Sequence, residues 1–269
     1  MKSRNIKRTF AFLLVALFLN LVRPAAVAQT MVCRIQAPEG FKECRHDRFG
    51  SYLITRELKP KGTKVRLYDG RVKAYQEGVY AVIHMDIGKK DLQQCADAVI
   101  RLRAEYLWWN GKYDDIQFNF SNGFRADYSK WQAGYRIKVE GNKAEWYKSC
   151  GDDVSYNGFR EYLDIVFAYA GTASLVREMH NIPLMEARAG DVFIHGGFPG
   201  HAMIIMNVAE DGSGRKALLV AQSYMPAQDI HIVKNLGDAA SSPWYIINGE
   251  TEHLVFPEWI FSKSELYRF

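Results

Sequence analysis

The chain has 269 residues, with 35 basic and 30 acidic side chains, a formal net charge of +5 and 48% hydrophobic residues. That is enough apolar material for one large domain with its own core. Five of the basic residues and none of the acidic ones fall in the first 28 positions, so the remainder is charge-balanced and offers no electrostatic footprint for nucleic acid.

Residues 1–28 read as an export leader. Lys2, Arg4, Lys7 and Arg8 form a basic start, Thr9 to Val22 is mostly apolar, and Ala26-Val27-Ala28 is a small-residue cleavage site before Gln29. The apolar run is short for a bilayer span, so an exported protein, periplasmic or extracellular, with no stable membrane insertion after cleavage is expected. Residues 29–75 read as a strand-containing extension and 76–269 as the main domain. Four cysteines in an exported chain suggest two disulfides by default, with Cys33–Cys44 and Cys95–Cys150 as candidate pairs.

In chain order, Tyr52-Leu53-Ile54 and Val65 to Tyr68 are short strand candidates, with a turn at Asp69-Gly70. Val79 to Met85 is a stronger strand. A helix follows, capped by Asp91 with Gln94 completing a capping box. Its apolar stripe is Leu92, Cys95, Val99, Leu102, Tyr106 and Trp109, and Asp97, Arg101 and Glu105 mark the opposite, solvent face. Residues 110–155 are rich in aromatics and glycine, with strands near Ile116 to Phe120 and Gly134 to Val139. A second helix is predicted over Gly158 to Met179. Three strands then follow, at Asp191 to His195, His201 to Val208 and Ala217 to Ser223, the last two joined by the turn Asp211-Gly212-Ser213-Gly214. Helices first and an antiparallel sheet after them define an α+β arrangement.

Cys95 falls in the first turn of its helix, where backbone amides and a nearby imidazolium favour a thiolate. His201 opens a strand after Gly200. Pairing Val208 with Ala217 sets Met203 opposite Gln222 and puts Gln222 diagonal to His201 on one sheet face, where its amide oxygen can hold the imidazole N–H. A one-residue slip puts Ser223 there instead. Gln93 or Gln94 can add a side-chain donor for an oxyanion. His195 and His201, six apart without a partnered carboxylate, make a poor metal site, and neither metal nor cofactor is expected. His84 and Asp86 precede the cysteine helix and can line the site. Of the tryptophans Trp108, Trp109, Trp131, Trp146, Trp244 and Trp259, most are expected in the core. Trp244, in the loop-like Ser241-Ser242-Pro243-Trp244-Tyr245, is the best candidate for a cleft wall.

Gly190-Asp191-Val192-Phe193-Ile194 followed by Gly200-His201-Ala202-Met203-Ile204-Ile205 resembles the histidine region of the CHAP amidases and NlpC-type cell-wall peptidases. Ala221-Gln222-Ser223 falls where their orienting residue stands, and Cys95 opening a helix matches their nucleophile. The resemblance covers some 130 residues. The chain as a whole also resembles an uncharacterised family of secreted bacterial proteins, through segments such as Asp91 to Tyr106 and Gln222 to Gln228. The first resemblance implies a papain-like fold, its nucleophile helix packed on an antiparallel sheet, and a Cys-His hydrolase. Cys95 would attack, His201 act as base and then acid, and Gln222 orient it, with Gln94, Ser223 and Trp244 near the substrate. Peptidoglycan or peptide amide bonds are the implied substrate. The alternatives are a non-catalytic module binding glycan or cell-wall peptide, and acyl or lipid transfer through the same thiol.

Overall fold

The near-continuous apolar runs of the second half of the chain are strands buried on both faces. The computed structural model describes residues 30–269, so the leader predicted over 1–28 lies outside the described residues. Nine strands build one sheet: β1 (Lys42–Glu43), β2 (Val79–Val82), β3 (His180–Asn181), β4 (Val192–His195), β5 (His201–Glu210), β6 (Lys216–Gln222), β7 (His231–Val233), β8 (Tyr245–Ile247) and β9 (Leu266–Arg268). The path runs β2-β7-β6-β5-β4-β9-β3, with β8 beside β6 and β1 beside β5. Every ladder is antiparallel. Five α-helices are described, α1 (Arg48–Ile54), α2 (Cys95–Trp109), α3 (Tyr128–Gln132), α4 (Tyr156–Tyr169) and α5 (Thr172–Glu178), and four two-stranded ladders lie outside the main sheet. The protein is therefore α+β with an antiparallel sheet, as the order of elements in the sequence implies.

Side-chain parity assigns the two faces. Ala202, Ile204 and Met206 of β5 and Leu219 and Ala221 of β6 pack with α2 and α4 through Val99, Leu102, Phe159 and Tyr162. Met203, Ile205 and Val208, with Leu218 and Val220, face a second core closed by Phe193, Leu254, Phe256 and Phe261. The last three belong to a C-terminal hairpin pairing 253–255 with 260–262. A bulge between Ile205 and Asn207 swaps the parity midway along β5. The predicted pairing of Val208 with Ala217 is accordingly displaced to Val208↔Leu218 at the turn end. At the other end Ile204↔Ala221 and Ile205↔Val220 keep the register that opposes Met203 to Gln222.

Several local expectations are corrected. Tyr52-Leu53-Ile54 ends a helix, because the Asp47 carboxylate accepts the Gly50 N–H at 2.7 Å and starts α1. Helix α2 begins at Cys95 with Gln94 as its cap, and the box residue is Asp97, whose Oδ2 accepts the Gln94 N–H at 3.0 Å. Asp91 instead accepts the Ala227 N–H at 2.6 Å. The helix predicted over Gly158 to Met179 is broken at Ala170-Gly171 into α4 and α5. Residues 30–75 share the first core through Val32, Phe49, Leu53 and Leu58, and Trp244 is locked inside it, its Nε1–H donating to Gln36 O at 2.8 Å.

The largest departure concerns the polar face of α2, which is buried as fully as its apolar one. Arg101 is 1% exposed. Its guanidinium donates to Glu105 Oε1 at 2.7 Å, Gln93 Oε1 at 2.9 Å and Tyr156 Oη at 3.1 Å, while Tyr156 Oη donates to Glu105 Oε1 at 2.5 Å. The charge survives burial because Glu105, four residues on along the same helix, and Gln93 and Tyr156 from outside it all accept from the guanidinium. Removing the guanidinium would leave the Glu105 carboxylate buried and unpaired. Arg101→Ala is therefore expected to lower unfolding stability by about 3–5 kcal/mol, measured by urea titration, whereas a loss below about 1 kcal/mol would show that the network carries no net load.

Candidate functional site

Gln222 is the hub of the polar cluster on the second face of the sheet. Its Oε1 lies 2.9 Å from His201 Nε2, its Nε2 donates to Glu258 Oε2 at 2.7 Å, and the same nitrogen is 3.4 Å from His231 Nε2. With the amide nitrogen turned to the Glu258 carboxylate, the oxygen must face His201, so His201 carries its proton on Nε2 and accepts at Nδ1. His231 Nδ1 donates to Asp229 O at 3.0 Å, which leaves its Nε2 as the acceptor toward Gln222. Glu258 is held in turn by the Lys73 ammonium at 2.5 Å. The chain His201, Gln222, Glu258, Lys73 thus links one central strand to both ends of the domain.

The imidazole of His201 is 2% exposed, walled by Tyr224, Trp259 and Phe261 with ring centroids 4.9, 5.2 and 6.0 Å away. Burial pushes its pKa down to about 4, with the nearby Lys73 charge adding to the drop and the Gln222 hydrogen bond opposing it. Burial likewise takes His231 down to about 3. Both rings are neutral in the folded protein near pH 7.

Cys95 is the first residue of α2, half-buried, at the point where β6 ends. Ser223 fixes that junction, its Oγ lying 3.0 Å from Gln93 O and 2.9 Å from Gln228 O. The backbone amides of Ala202, Ala96 and Cys95 itself lie close enough to the sulfur to favour the thiolate. The thiol therefore meets the sheet at the residue after His201. The ring of His201 lies on the second face, and among the described residues no hydrogen bond joins the two side chains. Burial raises the Cys95 pKa and the Asp97 carboxylate adds to this, outweighing the amides. The thiolate expected from helix position alone is thus corrected to a resting thiol.

The structure sorts the remaining sequence candidates. Gln94 lines a cleft of about 380 Å³ beside Cys95, with Nε2 3.2 Å from Asp91 Oδ1. Gln93 does not reach it, being 1% exposed with its oxygen on Arg101. Ser223 and Trp244 are corrected from substrate contacts to buried structural residues, since each spends its donor on a backbone carbonyl. Asp86 is ion-paired with Arg160, and His84 Nδ1 lies 3.4 Å from Glu57 Oε2. His195 pairs with Glu265 on the sheet rim. All four cysteines are free thiols, and neither expected disulfide forms. No group of three His, Cys, Asp or Glu residues among the described residues is placed to hold a metal ion. No helix among them is long and apolar enough to cross a membrane. Lys73, His231, Tyr224 and Glu258 were missed by the sequence reading, and Trp259 was named only as one of six tryptophans of which most were expected in the core. Lys73 and Glu258 are 185 positions apart, and no spacing rule joins them.

Fold and site define an α+β protein with a buried Gln-His hub next to a helix-opening cysteine. The chain belongs to the family described as a domain of unknown function (4846), whose model matches residues 31–268. No curated protein and no solved structure matches it.

The two buried histidines give the protein a defined acid response. As pH falls below 6.5 the unfolded chain takes up protons at both rings while the folded chain resists until about 4 for His201 and about 3 for His231. Stability is then full above pH 6.5 and lost between there and about pH 4, by about 3 kcal/mol for each ring. Urea midpoints across that window are expected to fall, with a shallower slope in His231→Asn. A midpoint flat down to pH 4.5 would mean that both folded rings take up protons as readily as the unfolded chain.

Proposed function

We propose that the protein is an exported thiol hydrolase of papain-like, CHAP- or NlpC-type architecture that cleaves an amide bond. Cys95 attacks the carbonyl carbon, and its proton passes around the end of β5 to His201 Nδ1 on the second face. The imidazolium returns that proton to the departing amine nitrogen, and water then releases the acyl group from sulfur with His201 again as base. The observation that carries this reading is the 2.9 Å His201–Gln222 hydrogen bond, which fixes the tautomer that leaves Nδ1 basic. Glu258 and Lys73 position Gln222. The Cys95 and Ala96 amides at the start of α2 supply donors for the oxyanion. A thiol at rest beside a neutral imidazole means that the proton moves during attack rather than before it. Peptide bonds of cell-wall peptidoglycan are the proposed substrate, on the motif resemblance and the leader-like segment 1–28.

The burial that raises the Cys95 pKa favours a second reading, a binding module on the same fold that takes glycan or cell-wall peptide without turnover.

The test is release of new amino groups from peptidoglycan fragments, run beside acyl-ester substrates. Cys95→Ala is expected to remove turnover, and His201→Ala to lower kcat/KM by about 10²–10⁴-fold. Amine release that survives Cys95→Ala would exclude the thiol mechanism. Fragment binding with no turnover in the unaltered protein would favour the binding module, and ester cleavage alone would point to acyl transfer. The acid limb of kcat/KM is expected near pH 4, following His201.

A further inference from the structure

The cleft beside Cys95 has a chemical character of its own. Its entrance is flanked by Phe198, 90% exposed, and Met225, 59% exposed. Between them the walls include Leu92 and Phe167. The acidic residues on the lining are Asp91, which is exposed, and Asp97, whose carboxyl is pushed by burial well above the usual carboxylate range; the lining carries no lysine or arginine. Two exposed large apolar side chains at the rim of a concave site offer an apolar contact surface to a group entering it.

Phe198 is displayed by a pinned loop. A Cβ on Gly200 would come within 2.2 Å of Thr172 Oγ1 and 2.8 Å of His195 O, and one on Gly196 within 2.7 Å of Val176 Cγ1. Thr172 Oγ1 also donates to Gly197 O at 3.3 Å. The loop between β4 and β5 is therefore packed against α5 at both ends, which holds the Phe198 ring over the cleft instead of folding it into the core.

We propose that this cleft selects a substrate whose group next to the scissile bond is apolar and bears no negative charge. The proposal rests on the thiol-hydrolase reading, since it places that group beside the Cys95 sulfur. An apolar group gains the Phe198, Met225, Leu92 and Phe167 surfaces. A carboxylate entering the same space meets the exposed Asp91 with no cation on the lining to offset it, and desolvation adds to its exclusion. A peptide amide with an aliphatic or aromatic residue at that position fits, whereas an acidic residue there does not.

Three thiol reagents test this without a known substrate: iodoacetamide, N-benzyl-iodoacetamide and iodoacetate. Alkylation of the full chain is followed by peptide mapping at a pH where both thiols react, with the exposed Cys150 as the internal reference. The benzyl-to-acetate rate ratio at Cys95 is expected to exceed that at Cys150 by about tenfold or more, and a ratio within about twofold of the Cys150 value overturns the proposal. Phe198→Ser with Met225→Ser is expected to remove the benzyl advantage, and Asp91→Asn to raise the iodoacetate rate. A Cys95 that none of the three modifies while Cys150 reacts overturns both the specificity and the hydrolase reading. Running His201→Ala in parallel separates the two. A preference that persists while Cys95 reactivity is indifferent to His201 leaves the cleft specificity standing and removes the mechanism.

Discussion

The pairing of β5 with β6 is the constraint from which the site follows. Side chains alternate along a strand, so the offset that sets Ile204 against Ala221 puts His201 and Gln222 on the same face, diagonal to one another. A slip of one residue would turn Gln222 toward α2 and bring Ser223 to the histidine. The bulge between Ile205 and Asn207 absorbs one residue between the turn and the site, so the Asp211–Gly214 turn and the His201 end each keep the register they need. Asn207 Oδ1 takes the Val208 N–H at 2.8 Å and stabilises that irregularity.

Around that pairing, buried polar groups are tolerated because they are joined. Gln222 has its oxygen and its nitrogen both committed, Glu258 bridges it to Lys73, and His231 is tied to the backbone at Asp229. Arg101, Glu105, Tyr156 and the Gln93 side-chain oxygen do the same beneath the start of α2, with the Gln93 amide nitrogen left without a partner. In a medium of low dielectric such networks hold a single arrangement, since breaking one contact strands another group without solvent. The same burial that fixes the imidazole lowers its basicity, and the same packing that positions Cys95 raises its pKa. Precision of placement and resting neutrality have one cause.

Much of the fold was legible from residue pattern. The strands at Val192–His195, His201–Glu210 and Lys216–Gln222 and the helix from Cys95 were predicted within a few residues, because each has a strong apolar period or run. The misreadings share a reason. Tyr52-Leu53-Ile54 is apolar enough for a strand, and only the Asp47 cap and contacts with α2 and β5 decide for helix. Asp97, Arg101 and Glu105 have the spacing of a solvent face, and only the residues packed over them show that it is buried. Trp244 has loop-like neighbours in sequence, yet its indole lies in the core.

The sequence by itself determined the class of fold, the helix that opens with Cys95, and the strands that carry His201 and Gln222. Those depend on periodicity, capping and turn chemistry, which act over a few residues. The tertiary structure alone decided that Glu258 and Lys73 stand behind Gln222, that Tyr224 and Trp259 enclose the imidazole, and that Cys95 rests as a thiol. Those outcomes depend on burial and on contacts between distant segments. Local pattern carries no record of which remote side chain will share a given pocket or of how much water that pocket will hold.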